Sequence, residues 1–152
     1  MADIEARLQR LEDKAAIAEL IASYGPLADR GMADELARLW VDNGEYTVAG
    51  FGTARGHAEI AALIEGETHQ QLMAQGCAHV LSPHTIALGG GEAEASGYSV
   101  VFRRSGDAFE AWRVSANRWK LVRTEKGWRV LLRENAPLDG SEAARALLEV
   151  NG

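Results

Sequence analysis

At 152 residues, with 47% hydrophobic and 25% charged side chains, the chain has the length and balance of one globular domain around a single core. Its formal net charge of −6 argues against a nucleic-acid partner, whose phosphates call for a basic face. One cysteine, Cys77, excludes an internal disulfide framework, and no stretch reaches the roughly 18 apolar residues of a membrane span, so a cytoplasmic protein is expected.

The N-terminus, Met1-Ala-Asp-Ile-Glu5, has no basic start followed by an apolar run, so no signal peptide is expected. Ile4, Leu8, Leu11, Ile17, Leu20, Ile21 and Tyr24 recur at helical spacing behind Asp3, a plausible N-cap. Gly25-Pro26 predicts a kink or pause just after Tyr24. A short helix is predicted from Ala33 to Trp40, with Leu36, Leu39 and Trp40 on its apolar face. Asn43-Gly44 then reads as a turn and Glu45–Ala49 as a strand. Gly50-Phe-Gly52 turns the chain into a helix over about His57 to Met73.

From Ala78 the hydrophobic period changes to two. Strands are predicted over 78–88, 92–104, 109–123 and 128–135, separated by Gly89-Gly-Gly91, Ser105-Gly-Asp107 and Glu125-Lys-Gly127. Such short connections imply antiparallel pairing, and helices first with a meander last imply an α+β fold. Ser141 opens a C-terminal tail helix within 138–152, and 1–152 reads as one domain without repeats or linkers.

Among these elements, Asp29 can orient an imidazole, His79 can take a proton and Tyr24 offers a phenol, a set suited to proton abstraction. Each also has an ordinary reading: His79 as a satisfied core residue, Asp29 as a helix terminator or cap, Tyr24 as a packed tyrosine. A metal site is not expected, since His57, His69, His79 and His84 lack metal-ligand spacing and there is no cysteine cluster. No dinucleotide or phosphate-loop pattern occurs. Arg113, Ser115 and Asn117 alternate on one strand face, with Trp112, Val114 and Ala116 on the other, and Arg133 and Asn135 share a face of the last strand. If that polar face lines a cavity, its arginines need an anionic or oxygen-rich partner.

Lys14-Ala-Ala-Ile-Ala-Glu-Leu20, Tyr24…Asp29-Arg-Gly31, Leu39-Trp-Val-Asp42, Gly44-Glu-Tyr-Thr-Val48, Gly52-Thr-Ala-Arg-Gly56, His79 and Gly127-Trp-Arg-Val130 together resemble the SnoaL-like branch of the nuclear-transport-factor-2-like superfamily. The resemblance covers about residues 8 to 137. It implies a cone, in which a curved antiparallel or mixed sheet wraps around the N-terminal helices. Within it, the chain resembles γ-hexachlorocyclohexane dehydrochlorinase and, more distantly, scytalone dehydratase and bile-acid 7α-dehydratase. In these enzymes a His–Asp dyad eliminates a leaving group without a cofactor, and Asp29 and His79 match that dyad. Tyr24 matches a tyrosine that precedes the aspartate, Tyr46 an aromatic wall residue and Arg133 a pocket arginine. The resemblance also implies a substrate wall of Arg113, Ser115 and Asn117 with Tyr98, Val100 and Phe102, and Trp40 and Asn135 are further substrate-binding candidates. Pro83 stands where relatives carry Asn, and the neighbouring His84 is its candidate substitute.

The expected function is therefore that of a cofactor-independent lyase, with His79 as base and Asp29 as its orienting partner. Its substrate would be a small cyclic or aromatic compound bearing oxygen. The same groups suit carbon–carbon cleavage or a double-bond shift. The rival class is a non-catalytic binding or assembly module. Relatives imply a homo-oligomer, dimeric or trimeric, that meets a small molecule and neither nucleic acid nor membrane.

Overall fold

The computed structural model describes residues 3–150. Asp3 caps helix α1 (Ile4–Asp29), its carboxylate accepting from the Ala6 N–H at 2.7 Å. The expected pause after Tyr24 does not occur, and α1 runs through Pro26 to Asp29. A proline forfeits its own N–H, and the last turn still closes through Arg30 N–H to the Pro26 carbonyl at 3.0 Å. Ile4, Leu8 and Leu11 follow helical spacing yet are exposed, because α1 meets the core only from Asp13 onward.

Helix α2 (Ala33–Ala37) ends before Trp40, which opens strand β1 (Trp40–Val48) instead of closing the helix. Asn43-Gly44 is not a turn. It lies inside β1, where the pairing slips between Trp40 and Glu45. The slip packs Gly44 against the Trp40 indole so closely that a Cβ there would come within 2.7 Å of the ring. Strand β2 (Gly52–Arg55) pairs back on β1, and the helix expected over 57–73 is two helices, α3 (Gly56–Glu65) and α4 (Glu67–Gln75). They part at Gly66, whose backbone is extended.

The segment read as one strand over 78–88 is also divided, into β3 (Cys77–Leu81) and β4 (Thr85–Gly89). Pro83, lacking an N–H, falls in the gap. Both pair antiparallel with β5 (Glu92–Ser105), followed by β6 (Ala108–Thr124) and β7 (Gly127–Pro137). The tail helix α5 (Glu142–Ala146) begins at Ser141, whose hydroxyl accepts from the Ala144 N–H at 3.2 Å.

The seven strands form one curved mixed sheet in the order β2-β1-β7-β6-β5-β3, with β4 also on β5. All neighbours are antiparallel except β1 and β7, which run parallel. Between helices and sheet lies an apolar core that includes Ile17, Ile21, Leu36, Trp40, Ile60, Trp119 and Val130. Val80 and Val114 both pair with Val100, which borders the cavity described below, and Val80, Tyr98 and Val114 are exposed.

Candidate active site

The end of α1 and the start of β3 meet through one carboxylate. Asp29 Oδ1 receives the His79 Nδ1–H at 2.7 Å, and Oδ2 receives the backbone N–H of the same residue at 2.9 Å. The Cys77 thiol donates to Oδ1 at 3.6 Å. Burial raises the Asp29 carboxyl, but the hydrogen bonds from the His79 ring and backbone outweigh it and hold the group below the usual carboxylate range. An ionised Asp29 places the ring proton of His79 on Nδ1. His79 Nε2 then carries a lone pair, with no hydrogen-bond partner among the described residues. Close approach makes this possible: a Cβ on Gly25 would lie 2.1 Å from the His79 carbonyl oxygen, so only glycine lets α1 sit so near β3.

His79 borders a cavity of about 310 Å³ between α3, α4 and the inner sheet face. Its wall is mostly apolar, with Val48, Phe51, Leu63, Leu72 and Leu81 among its residues. Tyr24, Tyr46, Arg113, Arg133 and Asn135 line it as well, so five further candidates share the space with His79. Burial, ahead of the neighbouring Tyr46, pushes the Tyr24 hydroxyl well above the ordinary phenol range, which keeps it protonated.

Arg133, only 1% exposed, enters the site from β7. Its guanidinium carbon lies 4.3 Å from the Tyr24 ring centre, 4.5 Å from Tyr46 and 4.3 Å from Trp119. Nε and Nη2 donate to Asn117 Oδ1 at 3.0 and 2.8 Å, while Nη1 is buried without a partner. Asn117 Oδ1 also receives Asn135 Nδ2 at 2.9 Å, and Asn117 Nδ2 donates to Ser99 Oγ at 2.8 Å. Arg113 is held by Asn135 Oδ1 at 2.8 Å. Among the described residues no carboxylate pairs with Arg133 or Arg113.

Several candidates stand elsewhere. Tyr98 and Phe102 do not line the cavity; the sheet register pairs Ser99 with Ser115 and Val101 with Arg113, so Ser99 and Val101 face inward. Tyr98 is half exposed on the outer face. A bulge opposite Val101 and Phe102 leaves Trp112 unpaired, and it joins Arg113 on the cavity wall instead of the opposite face. Ser115 and Asn117 are fully buried behind the cavity, where Asn117 supports Arg133 and Ser115 Oγ has no partner. Trp40 is core: it stacks on Tyr46 at 5.6 Å and donates to the Glu45 carbonyl. Both His84 nitrogens are engaged, Nδ1–H donating to Ser82 O at 2.6 Å and Nε2 accepting from Trp119 Nε1–H at 3.1 Å. Its bulk fills the space above Gly97, where a Cβ would come within 2.6 Å of the ring.

His69, which the sequence raises only as a metal ligand, also lines the cavity, with its ring centre 5.2 Å from that of His79. Its position on the buried side of a helix after Gly66 is the signal that could have found it. The one cluster of ligand-type atoms among the described residues is Asp29, Cys77 and His79, within 4.8 Å of one another, and these are the residues that could hold a cation. Burial, ahead of the Asp29 charge, pushes the Cys77 thiol up to about 11, so its proton stays on sulfur at neutral pH. No described helix is long and apolar enough to cross a membrane.

Comparison with known proteins agrees with this architecture. An NTF2-like protein of cystatin-like fold from Novosphingobium aromaticivorans is 57% identical, with 99% of each chain covered and a TM-score of 0.95. A protein of unknown function from Mycobacterium tuberculosis shares the fold at 15% identity and a TM-score of 0.75, covering 97% of this chain and 89% of its own. A structure described as a putative aromatic ring hydroxylase from Novosphingobium aromaticivorans shares it at 22% identity and a TM-score of 0.64, over 84% and 90% of the two chains. No curated protein matches the sequence. Residues 9–134 match the SnoaL-like domain, and the chain belongs to that family.

Proposed function

We propose that the protein is a cofactor-independent lyase that eliminates water from a small, largely apolar cyclic or aromatic compound bearing oxygen. The observation that carries this reading is the 2.7 Å bond from His79 Nδ1 to Asp29, which leaves Nε2 as a base on a mostly apolar cavity. His79 Nε2 takes a proton from carbon, and the electrons of that C–H bond form the new double bond. The adjacent C–O bond breaks with its electrons on oxygen, and the His79 proton completes the departing water. Asp29 holds the tautomer and stabilises the transient imidazolium. Tyr24, whose hydroxyl stays protonated, or Tyr46 hydrogen-bonds the leaving or carbonyl oxygen. Arg133, set among rings without a carboxylate, supplies preorganised positive charge where negative charge develops. Membership of the SnoaL-like family supports small-molecule conversion as the general activity. We read the whole chain as one such domain, acting as a homo-oligomer.

The test is a panel of cyclic β-hydroxy ketones, followed by the absorbance of the conjugated product. His79→Ala should lower kcat by about 10²–10⁴ on whichever compound reacts, and Asp29→Asn should follow it, as loss of a positioned base requires. Full turnover by His79→Ala would remove His79 from the reaction.

A further inference from the structure

We infer that His69 is a fixed hydrogen-bond acceptor of the same cavity, and that its ligand carries a neutral hydroxyl group directed at His69 Nδ1; this rests on the reading of the cavity as a substrate site. His69 lies in the first turn of α4 and is 93% removed from solvent, being 7% exposed. Its Nε2 is 2.7 Å from the carbonyl oxygen of Ala28, the residue before Asp29. A carbonyl can only accept, so Nε2 bears the proton and Nδ1 bears a lone pair.

Two further facts make that lone pair a ligand feature. Burial, ahead of the Ala28 hydrogen bond that works the other way, holds the His69 ring below the usual imidazole range. The ring therefore stays neutral at pH 7, and Nδ1 accepts without donating. Nδ1 has no protein partner among the described residues, and unlike Arg133 Nη1 and Ser115 Oγ it is not fully sealed, on a side chain that lines the cavity. Ile64 and Leu72 on the same cavity wall offer no hydrogen-bonding side chain, whereas Glu67 and Thr68, beside His69 in the chain, do. A polar atom held so near apolar side chains discriminates by what is lost when it goes unpaired.

The consequence is a division of labour between two imidazoles 5.2 Å apart. His79, whose Nδ1–H is held by the Asp29 carboxylate, presents Nε2 to take the proton. His69 Nδ1, backed only by a neutral carbonyl, holds the hydroxyl and so sets which atom of the ligand faces His79. His69 is a binding and positioning residue in this scheme, and it has no proton on Nδ1 to give.

The experiment compares 2-naphthol with 2-methylnaphthalene, in which a methyl replaces the hydroxyl, by equilibrium dialysis at pH 7. The wild-type protein should bind the naphthol about tenfold more tightly, the worth of one neutral hydrogen bond. His69→Leu should bind the two alike with the methylnaphthalene affinity unchanged. His69→Gln, whose amide can donate to Ala28 and accept from the ligand, should keep the preference. In wild type the ¹⁵N resonance of His69 Nδ1 should move upfield on adding 2-naphthol and stay in place with 2-methylnaphthalene, a readout that needs no variant to fold. A wild-type protein that does not favour the naphthol, or a preference that survives in His69→Leu, overturns the inference. A preference lost in His79→Ala but kept in His69→Leu assigns the hydroxyl to His79 and overturns it equally. Because none of these readouts uses turnover, failure of the lyase reading would appear separately, as a naphthol preference set by His69 in a protein that converts no compound of the panel.

Discussion

Protonating His84 in the folded chain would require a proton on a ring whose two nitrogens are already committed to Ser82 and Trp119. Burial, ahead of every other influence, holds this histidine down to about 4. In the unfolded chain it titrates near its ordinary value of about 6.5. Between those limits the unfolded state binds the proton and the folded state does not, so stability falls as pH drops through that window. The loss should reach about 3 kcal/mol by pH 4, since each tenfold difference in proton affinity between the two states is worth about 1.4 kcal/mol. Urea denaturation from pH 7 to 4 should show it, and His84→Gln, which keeps an acceptor for Trp119, should flatten the curve. An unchanged slope in the variant would assign the acid sensitivity to other groups. The same residue shows why candidates differ in fate: His84 and Asn117 are the right types for a binding wall, but their partners lie within the protein.

At the scale of elements, the contact of α1 with β3 governs the site. Gly25→Ala would force a methyl against the His79 carbonyl, 2.1 Å away, and backbone cannot yield as a flexible side chain does. The expected cost is about 1–3 kcal/mol in urea denaturation, with loss of the proposed turnover because the displaced strand carries His79, the proposed base. A variant of wild-type stability and activity would show that the helix can retreat without disturbing the dyad. Much of this arrangement is legible in the chain itself. Asp3 and Ser141 announce the helix starts they cap, and the three late strands lie within about two residues of their predicted ends. Faces are less legible. Tyr98 reads as a wall residue and Ser99 does not, because a strand's face depends on its register with β6 and a shift of one residue exchanges the two. Trp112 escapes for a related reason, since a bulge is a property of the pair of strands and no single-strand periodicity announces it. His69 is hidden because its role depends on Ala28, 41 positions away.

Over the whole molecule, Val80, Tyr98 and Val114 on β3, β5 and β6 are 47%, 50% and 42% exposed. Exposed apolar side chains of this kind suit association, and the proposed homo-oligomer would use them. Light scattering should give the mass of a dimer or trimer, and Val80→Lys with Val114→Lys should reduce it. A wild-type monomer would place no second copy there.

The parallel pairing of β1 with β7 bears on when the site comes into being. The β5–β6 and β6–β7 contacts join neighbours through short turns, but Trp40 finds Val130 only after about ninety intervening residues have been arranged. Asp29 and His79 can meet as soon as α1 and β3 dock. The guanidinium of Arg133 arrives with the final strand, whereas Arg113 already lines the cavity from β6. Docking of β7 joins β1 to the late strands and brings the second guanidinium to the cavity in one event.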